Sequence, residues 1–155
     1  MTNGGDLTEA TRKALDAFHH HAQTQHELFK TIPMKPTMVG RGVVEFEGRF
    51  PDHFADGKVM HGGFFTILLD TVLAVAAWSR MDTFEPMATI NLKTDFFEGA
   101  APGSEMRIKA TCDSIADDVA SCQGTIYTAN NSPIAQADGT FMVGTKSPAV
   151  KGSRL

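Results

Sequence analysis

The most apolar segment of the chain covers residues 63–79 and is hydrophobic on nearly every side. Such a segment is either a membrane span or a helix buried inside a protein. Its apolar stretch is shorter than the roughly 20 residues that a bilayer requires, and Asp70 stands near its middle, where lipid would make a carboxylate costly. We therefore expect a buried central helix and no association with a membrane.

Apolar and polar residues alternate along much of the remaining chain, which is typical of β-strands. One strand is predicted before the central helix, at residues 39–50, and four follow Pro86. In the first of these four, the alternation predicts that Ile90, Leu92, Thr94 and Phe96 share one face and that Thr89, Asn91, Lys93 and Asp95 share the other. The other three strands begin near residues 106, 119 and 134, and polar turns such as Asp117-Asp118 predict an antiparallel sheet.

The N-terminal part of the chain predicts a second helix, at residues 7–30, which Thr8 or Asp6 would cap. Pro33 and Pro36 would end it, and residues 51–60 are expected to form a loop. Residues 1–6 and 147–155 are expected to be loose tails.

This order of elements favours an α+β fold in one domain spanning residues 1–155. A single long apolar helix can be buried only if a curved antiparallel sheet wraps around it. The small residues Ala135, Ala137 and Gly139 would let the helix approach the sheet closely. Such a sheet still has an outer face and free edges, so we expect a homo-oligomer, either a dimer or a dimer of dimers.

Composition narrows the possible functions. The 155 residues include 14 Lys and Arg against 18 Asp and Glu, a net charge of −4. Such a charge argues against a nucleic-acid partner. Two cysteines are too few for a disulfide scaffold or a structural zinc site. The polar N-terminus shows no secretory signal, so a cytoplasmic location is expected.

Asp70 and the pair Gly62-Gly63 are the residues most suggestive of chemistry. A carboxylate on a buried helix costs several kcal/mol unless it is paired or protonated, and such groups concentrate at functional sites. Free amides at a helix N-terminus attract negative charge, and glycine lets a substrate carbonyl approach them, which favours an oxyanion hole. Eight residues separate Gly62 from Asp70, or about 12 Å along a helix. If both act on one carbonyl, they must come from different subunits.

These residues belong to a pattern that resembles the hotdog-fold acyl-CoA thioesterases, especially the phenylacetate-degradation (PaaI-like) group, which includes 4-hydroxybenzoyl-CoA thioesterases. The resemblance covers roughly residues 28–143. It rests on His61-Gly62-Gly63 followed by Asp70, the strand at 88–97, Ala101-Pro102-Gly103 and the segment 137–143. It implies a hotdog fold and hydrolysis of an acyl-CoA thioester without a metal or other cofactor.

The resemblance also implies roles for particular residues. The amide of Gly62, alone or with that of Gly63, would polarise the thioester carbonyl. Asp70 of the partner subunit would be the nucleophile or general base, and the Thr89 hydroxyl would position the attacking water. His61 would shape the site or hold the sulfur end of the thioester. The remaining predicted substrate contacts are Asp56, Asn91, Lys93 and Phe64.

The chain departs from the family pattern at two places. Many relatives have an asparagine shortly before the His-Gly-Gly motif, a position that Asp56 would fill here. Glu98-Gly99-Ala100 stands where Arg-Pro-Ala is usual. Lys93, Arg107, Lys109 and Arg80 are candidates for the CoA phosphates, although they are more simply explained as solvated strand charges.

Other functions are compatible with parts of the pattern. A dehydratase of β-hydroxyacyl thioesters would need a histidine where Arg49 stands and a glutamate near Ile67. A protein that binds acyl-CoA without hydrolysis would not need Asp70. The run His19-His20-His21 resembles a metal cluster only superficially, because adjacent helical residues point in different directions. Cys112 and Cys122 flank the Asp117-Asp118 turn and are expected to be core thiols on neighbouring strands.

Overall fold

The computed structural model describes residues 2–3 and 7–145. Its helices are α1 (Glu9–Thr24) and α2 (Gly62–Arg80), with short 3₁₀ turns at Phe29–Thr31 and Asp52–Phe54. Its strands are β1 (Thr2–Asn3), β2 (Met34–Gly40), β3 (Val43–Arg49), β4 (Ala55–Asp56), β5 (Val59–Met60), β6 (Met87–Phe96), β7 (Glu105–Ala116), β8 (Val119–Thr128) and β9 (Pro133–Val143).

Seven strands form one sheet in the order β1-β2-β3-β7-β8-β9-β6, and β4 with β5 forms a separate small hairpin. All pairs are antiparallel except β1 with β2. The long helix α2 packs against this sheet, and its buried residues run almost continuously from Val72 to Ser79. The α+β architecture with one central helix is therefore confirmed.

Two glycines of the sheet let α2 lie close to it. A Cβ at Gly124 would come within 2.6 Å of Leu73 Cδ1, and one at Gly139 within 2.9 Å of Leu73 Cδ2. Leu73 is completely buried. The expectation that small residues on the last strand admit the helix is thus confirmed, and Gly124 on β8 contributes to the same seat.

The predicted strand at residues 39–50 is in fact the hairpin of β2 and β3. The prediction treated Pro33 and Pro36 as breakers and missed β2. Pro36 is tolerated because the register of β2 shifts between Pro36 and Met38, and proline fits a strand at such an irregularity. Gly42, with φ of +71°, makes the turn between the two strands.

The first helix is shorter than predicted and ends at Thr24. Thr8 is its N-cap and accepts a hydrogen bond from the Thr11 amide. After Thr24 the chain tightens into the 3₁₀ turn, where His26 Nδ1 accepts from the amides of Leu28 and Phe29. A side-chain acceptor that takes up backbone donors competes with regular helix, which explains the early end.

The predicted faces of β6 are wrong at Thr89. Thr89 pairs with Phe141, but Asn91 pairs with Thr140, so Ile90 is an extra residue in a β-bulge. Residues before and after a bulge change faces relative to simple alternation. Thr89 therefore lies on the helix-facing side with Leu92 and Thr94, and Asn91 stays on the outer side.

Most of the predicted tails lie outside the described residues, including all of 147–155. The described pair Thr2–Asn3 lies beside Met38 and Val39 in β2. The helix α2 is long and apolar enough to cross a membrane by composition alone, but most of it is buried within the fold.

We expect Gly124→Ala to lower the free energy of unfolding by about 1–3 kcal/mol, because the added methyl group overlaps Leu73. Urea denaturation of the variant measures this loss. Shortening the neighbour in the double variant Gly124→Ala/Leu73→Val should recover part of it relative to the sum of the single variants. Equal stability of Gly124→Ala and the parent chain would show that the helix is not held at this distance.

Candidate active site

The N-terminus of α2 is organised by His61. Its backbone is extended, with φ of −65° and ψ of 131°, and its ring Nδ1 accepts a hydrogen bond of 3.0 Å from the Gly63 amide. The His61 carbonyl accepts from the Phe64 amide, and the His61 amide donates to the Phe54 carbonyl. His61 is therefore the N-cap of the helix, and the Gly63 donor that sequence reasoning offered to a substrate is already used.

The Gly62 amide has no hydrogen-bond partner among residues 7–145. It lies at the positive end of the α2 dipole, in the first turn, where backbone donors lack intrahelical acceptors. Because glycine has no side chain, a ligand atom can approach this N–H closely. Gly62 is thus the available donor at this helix end.

One exposed aromatic ring lies beside Gly62. A Cβ placed on Gly62 would lie 3.5 Å from the ring of Phe96, which is 54% exposed, and Phe97 beside it is 57% exposed. Sequence reasoning missed this role of Phe96, because it depends on the end of β6 meeting the start of α2. The apolar surface is suited to the uncharged part of a ligand whose polar atom meets the amide.

Asp70 pairs with Thr89. The Thr89 hydroxyl donates a 2.9 Å hydrogen bond to Asp70 Oδ1. This contact exists because the bulge at Ile90 turns Thr89 toward the helix. The Thr89 hydroxyl thus lies against the Asp70 carboxylate, whereas simple strand alternation predicts that Thr89 lies on the opposite face.

The expectation that Asp70 is buried needs correction, since its side chain is only partly buried in the single chain. The reason is that β6 ends the sheet and pairs with β9 alone, which leaves one side of α2 uncovered. We call this uncovered surface the open stripe. It consists of Gly62, Gly63, Thr66, Ile67, Asp70 and Thr71, all partly or fully exposed, and Thr71 lies at its border toward α1.

Gly62 and Asp70 do not meet within one chain. They lie on the same stripe, spaced eight residues apart, which corresponds to about 12 Å along the helix axis. The amide donor and the carboxylate therefore lie about two turns apart on one exposed face of the helix.

The other predicted contacts are scattered. Phe64 is buried in the core, stacked on Phe54 at 4.6 Å, so it cannot contact a substrate as predicted. Asp56 is exposed in the hairpin that precedes α2. Asn91 and Lys93 lie on the outer face of the sheet, away from Asp70.

The candidate phosphate-binding cations mostly have protein partners. Lys93 forms a 2.8 Å ion pair with Asp95, whose hydrogen bond and charge raise the pKa of Lys93. Lys109 pairs with Glu45, and Arg80 donates to the Cys112 carbonyl. Arg107 donates to Asn131 and lies over the Tyr127 ring, and its Nε is buried without a partner within the described chain.

No group of three or more histidine, cysteine, aspartate or glutamate side chains that could hold a metal ion occurs within residues 7–145. The histidines of α1 do not form such a group with each other.

Comparison with known proteins places this geometry in a family. The family model described as the thioesterase superfamily matches residues 57–135, which is more than half of the chain and includes α2 with Gly62 and Asp70. The chain belongs to the thioesterase superfamily. No curated protein in the comparison matches this chain.

Solved structures share its hotdog fold. A hypothetical thioesterase from Streptococcus pneumoniae, solved with coenzyme A, has a TM-score of 0.72 at 15% identity and covers 86% of this chain and 99% of its own. The E. coli PaaI protein of the phenylacetic acid degradation operon has a TM-score of 0.75 at 15% identity and covers 96% of this chain and 99% of its own. Zebra fish thioesterase superfamily member 2 has a TM-score of 0.75 at 16% identity and covers 89% of this chain and 100% of its own. At these identities the likeness supports the fold, and the PaaI-like resemblance agrees with it.

Proposed function

We propose that the protein hydrolyses acyl-CoA thioesters at a site shared by two copies of the chain. The observation that carries the proposal is the open stripe of a thioesterase-superfamily helix, with an unpartnered amide at Gly62 and the Asp70–Thr89 pair two turns away. The coenzyme A bound to the Streptococcus pneumoniae neighbour supports this substrate class.

In this scheme the Gly62 amide holds the oxygen of the thioester carbonyl. As the carbonyl carbon becomes tetrahedral, its oxygen gains negative charge, which the N–H and the helix dipole stabilise more strongly than they stabilise the ground state. His61 caps the helix and holds its first turn in place, so the Gly62 amide is already oriented before the reaction. Water exclusion by the adjacent Phe96 ring would strengthen the same interaction.

Asp70 of the partner subunit acts on the other side of the carbonyl. Thr89 donates to Oδ1, which leaves Oδ2 without a partner among the described residues, while the hydroxyl oxygen can still accept a hydrogen bond from water. A water held by both groups would give its proton to Asp70 as its oxygen attacks carbon. The intermediate then expels the CoA sulfur, which takes the proton from Asp70, and the products are a carboxylic acid and CoA. Direct attack by Asp70 through a mixed anhydride uses the same positions.

A two-fold axis fixes how two helices would meet. If Gly62 faces Asp70 of the partner subunit, symmetry requires Asp70 to face Gly62 of the partner subunit, so the helices run in opposite directions. The midpoint of residues 62 and 70 is Thr66, which then lies at the axis. Thr66 is on the open stripe, as this arrangement needs.

The edge strand β6 offers further surface to a second copy. Ile90 is 53% exposed, and Phe96 and Phe97 lie at the same edge. The Thr94 hydroxyl, on the helix-facing side, is buried without a partner among the described residues. Covering this edge would remove apolar area from water and protect the unpaired edge of β6.

Binding of acyl-CoA without hydrolysis is the second candidate. Partial exposure of Asp70 favours it, because an accessible carboxylate costs little and need not be retained for catalysis. Release of free CoA thiol, measured over many turnovers across a series of acyl-CoA substrates, separates the two. Saturable binding with no thiol release would support the binding protein and contradict the hydrolase.

Gly62→Pro tests the oxyanion donor, because proline deletes the N–H and is well tolerated at the first helical position. The extended backbone of His61 suits a residue before proline. We expect kcat to fall by about 100–1000-fold with an unchanged melting temperature. Gly62→Ala keeps the amide, and its Cβ makes only an ordinary 3.5 Å contact with Phe96, so it should lose far less. Equal losses in both variants would remove the amide from the mechanism.

Asp70→Asn should lower kcat by at least about 100-fold while the fold survives, since the amide cannot accept the proton of water. Mixed dimers of Asp70→Ala and Gly62→Pro chains should recover activity, because one of their two sites is intact. Activity assays on re-associated mixtures, with each variant alone as the baseline, measure this recovery. Properly formed mixed dimers that stay inactive would contradict a shared site.

Thr66→Cys should give a disulfide-linked dimer under mild oxidation, because the residue faces its own copy at the axis. Thr71→Cys on the same stripe is the matched control. Residue 71 would face residue 61 of the other copy, so its two copies lie about 15 Å apart along the axis and should not cross-link. Non-reducing electrophoresis distinguishes the two. An active dimer in which only Thr71→Cys cross-links would overturn the helix pairing while leaving the hydrolase proposal standing.

A further inference from the structure

Cys112 on β7 and Cys122 on β8 are directly opposite each other in the sheet register. Both are free thiols, 2% and 4% exposed, on the face that packs against α2. They are remote from Gly62, because Arg80 at the other end of α2 donates a hydrogen bond to the Cys112 carbonyl. The proposed hydrolysis uses neither thiol.

The backbone around Cys112 shows which kind of pair this is. Its amide donates a 2.8 Å hydrogen bond to Gly42, which precedes β3 on the opposite side from β8. The N–H and C=O of one strand residue point to the same side, so both groups of Cys112 point away from Cys122. The two cysteines therefore form a non-hydrogen-bonded pair, in which Cα atoms of antiparallel strands approach to about 4.5 Å. This spacing lies within the roughly 4.4–6.8 Å that a disulfide spans.

The two thiols are chemically unequal. Contact with the Cys122 thiol lowers the pKa of Cys112, and the Arg80 guanidinium acts in the same direction. Contact with Cys112, together with burial, raises the pKa of Cys122. Because the thiolate is the nucleophile in thiol oxidation, and because the Arg80 guanidinium lies against the backbone of Cys112, we expect Cys112 to attack and Cys122 to resolve.

We propose that Cys112 and Cys122 are a peroxide-oxidisable dithiol that closes to a reversible disulfide between β7 and β8. The Cys112 thiolate attacks one oxygen of hydrogen peroxide, the O–O bond breaks, and the departing hydroxide takes a proton to become water. The sulfenic acid formed on Cys112 is then attacked by the Cys122 sulfur, which forms the S–S bond and releases a second water. Two thiols lose two protons and two electrons, and one peroxide becomes two waters.

Burial of the pair predicts selectivity for a small oxidant. Hydrogen peroxide is close to water in size, whereas glutathione disulfide must bring its own sulfur in line with the buried Cys112 thiol. We expect the ratio of the oxidation rate with peroxide to the rate with glutathione disulfide, at equal concentration, to be at least about 10-fold higher for the folded protein than for the unfolded, fully accessible chain.

The test uses the folded, reduced protein treated with hydrogen peroxide, then unfolded and alkylated with iodoacetamide. We expect the chain to lose two hydrogens, take up no alkyl group, and regain both thiols after dithiothreitol. Peptide mapping should join the peptides that contain Cys112 and Cys122. Methionine oxidation adds oxygen and leaves the thiol count unchanged, so it does not interfere with this measurement.

Serine variants assign the order of the two steps. Cys122→Ser should stop at a sulfenic acid on Cys112 that dimedone traps, and Cys112→Ser should react at least about 10-fold more slowly. The measurement on the parent protein needs neither variant to fold. Two alkylated thiols after peroxide, under conditions that oxidise the unfolded chain, would overturn the proposal. Cross-links between chains in place of the internal bond would overturn it as well.

Discussion

The structure depends on the burial of one apolar helix by a sheet that stops before it has enclosed that helix. The sheet and α1 cover α2 along most of its circumference, and the hydrophobic gain on these sides holds the fold together. Within residues 7–145 no strand follows beyond β6, so the open stripe stays uncovered by the described part of a single chain. Both candidate catalytic groups lie on that stripe, which means that the incomplete burial of the helix and its chemistry have the same origin.

Local irregularities then place individual groups on the stripe. The bulge at Ile90 costs one ladder pairing and brings the Thr89 hydroxyl to Asp70. The cap formed by the His61 ring uses the Gly63 amide and leaves that of Gly62 as the donor. In each case a departure from regular strand or helix geometry decides which polar group is available, as is common where a fold carries function.

The central helix and the alternating strands after Pro86 could be predicted because their patterns are long and are confirmed by burial. In β7, for example, Met106, Ile108, Ala110 and Cys112 are all buried. The hairpin of β2 and β3 was missed, because Pro36 normally argues against a strand and only a register shift admits it. The end of α1 at Thr24 was missed since a histidine side chain took over backbone donors, which no periodicity reveals.

The residues of the candidate site could be singled out from the sequence, whereas their surroundings could not. His61-Gly62-Gly63 and Asp70 stood out by type and spacing alone. The exposure of Asp70 depends on where the sheet ends, and the face of Thr89 depends on one inserted residue. The nearness of Phe96 to Gly62 follows from tertiary structure only. An apolar residue type such as phenylalanine suits a binding pocket and the core equally, so the sequence alone does not distinguish the two. Phe64 lies in the core.

The seat of Leu73 between Gly124 and Gly139 has a consequence for orientation. A helix that packs on a flat sheet can rotate about its own axis, and such a rotation would move the carboxylate of Asp70. Leu73 lies three residues after Asp70, and its side chain fits between Gly124 and Gly139, which restricts that rotation. The orientation of the Asp70 carboxylate thus depends on two glycine positions of the sheet, which carry no side chain at all.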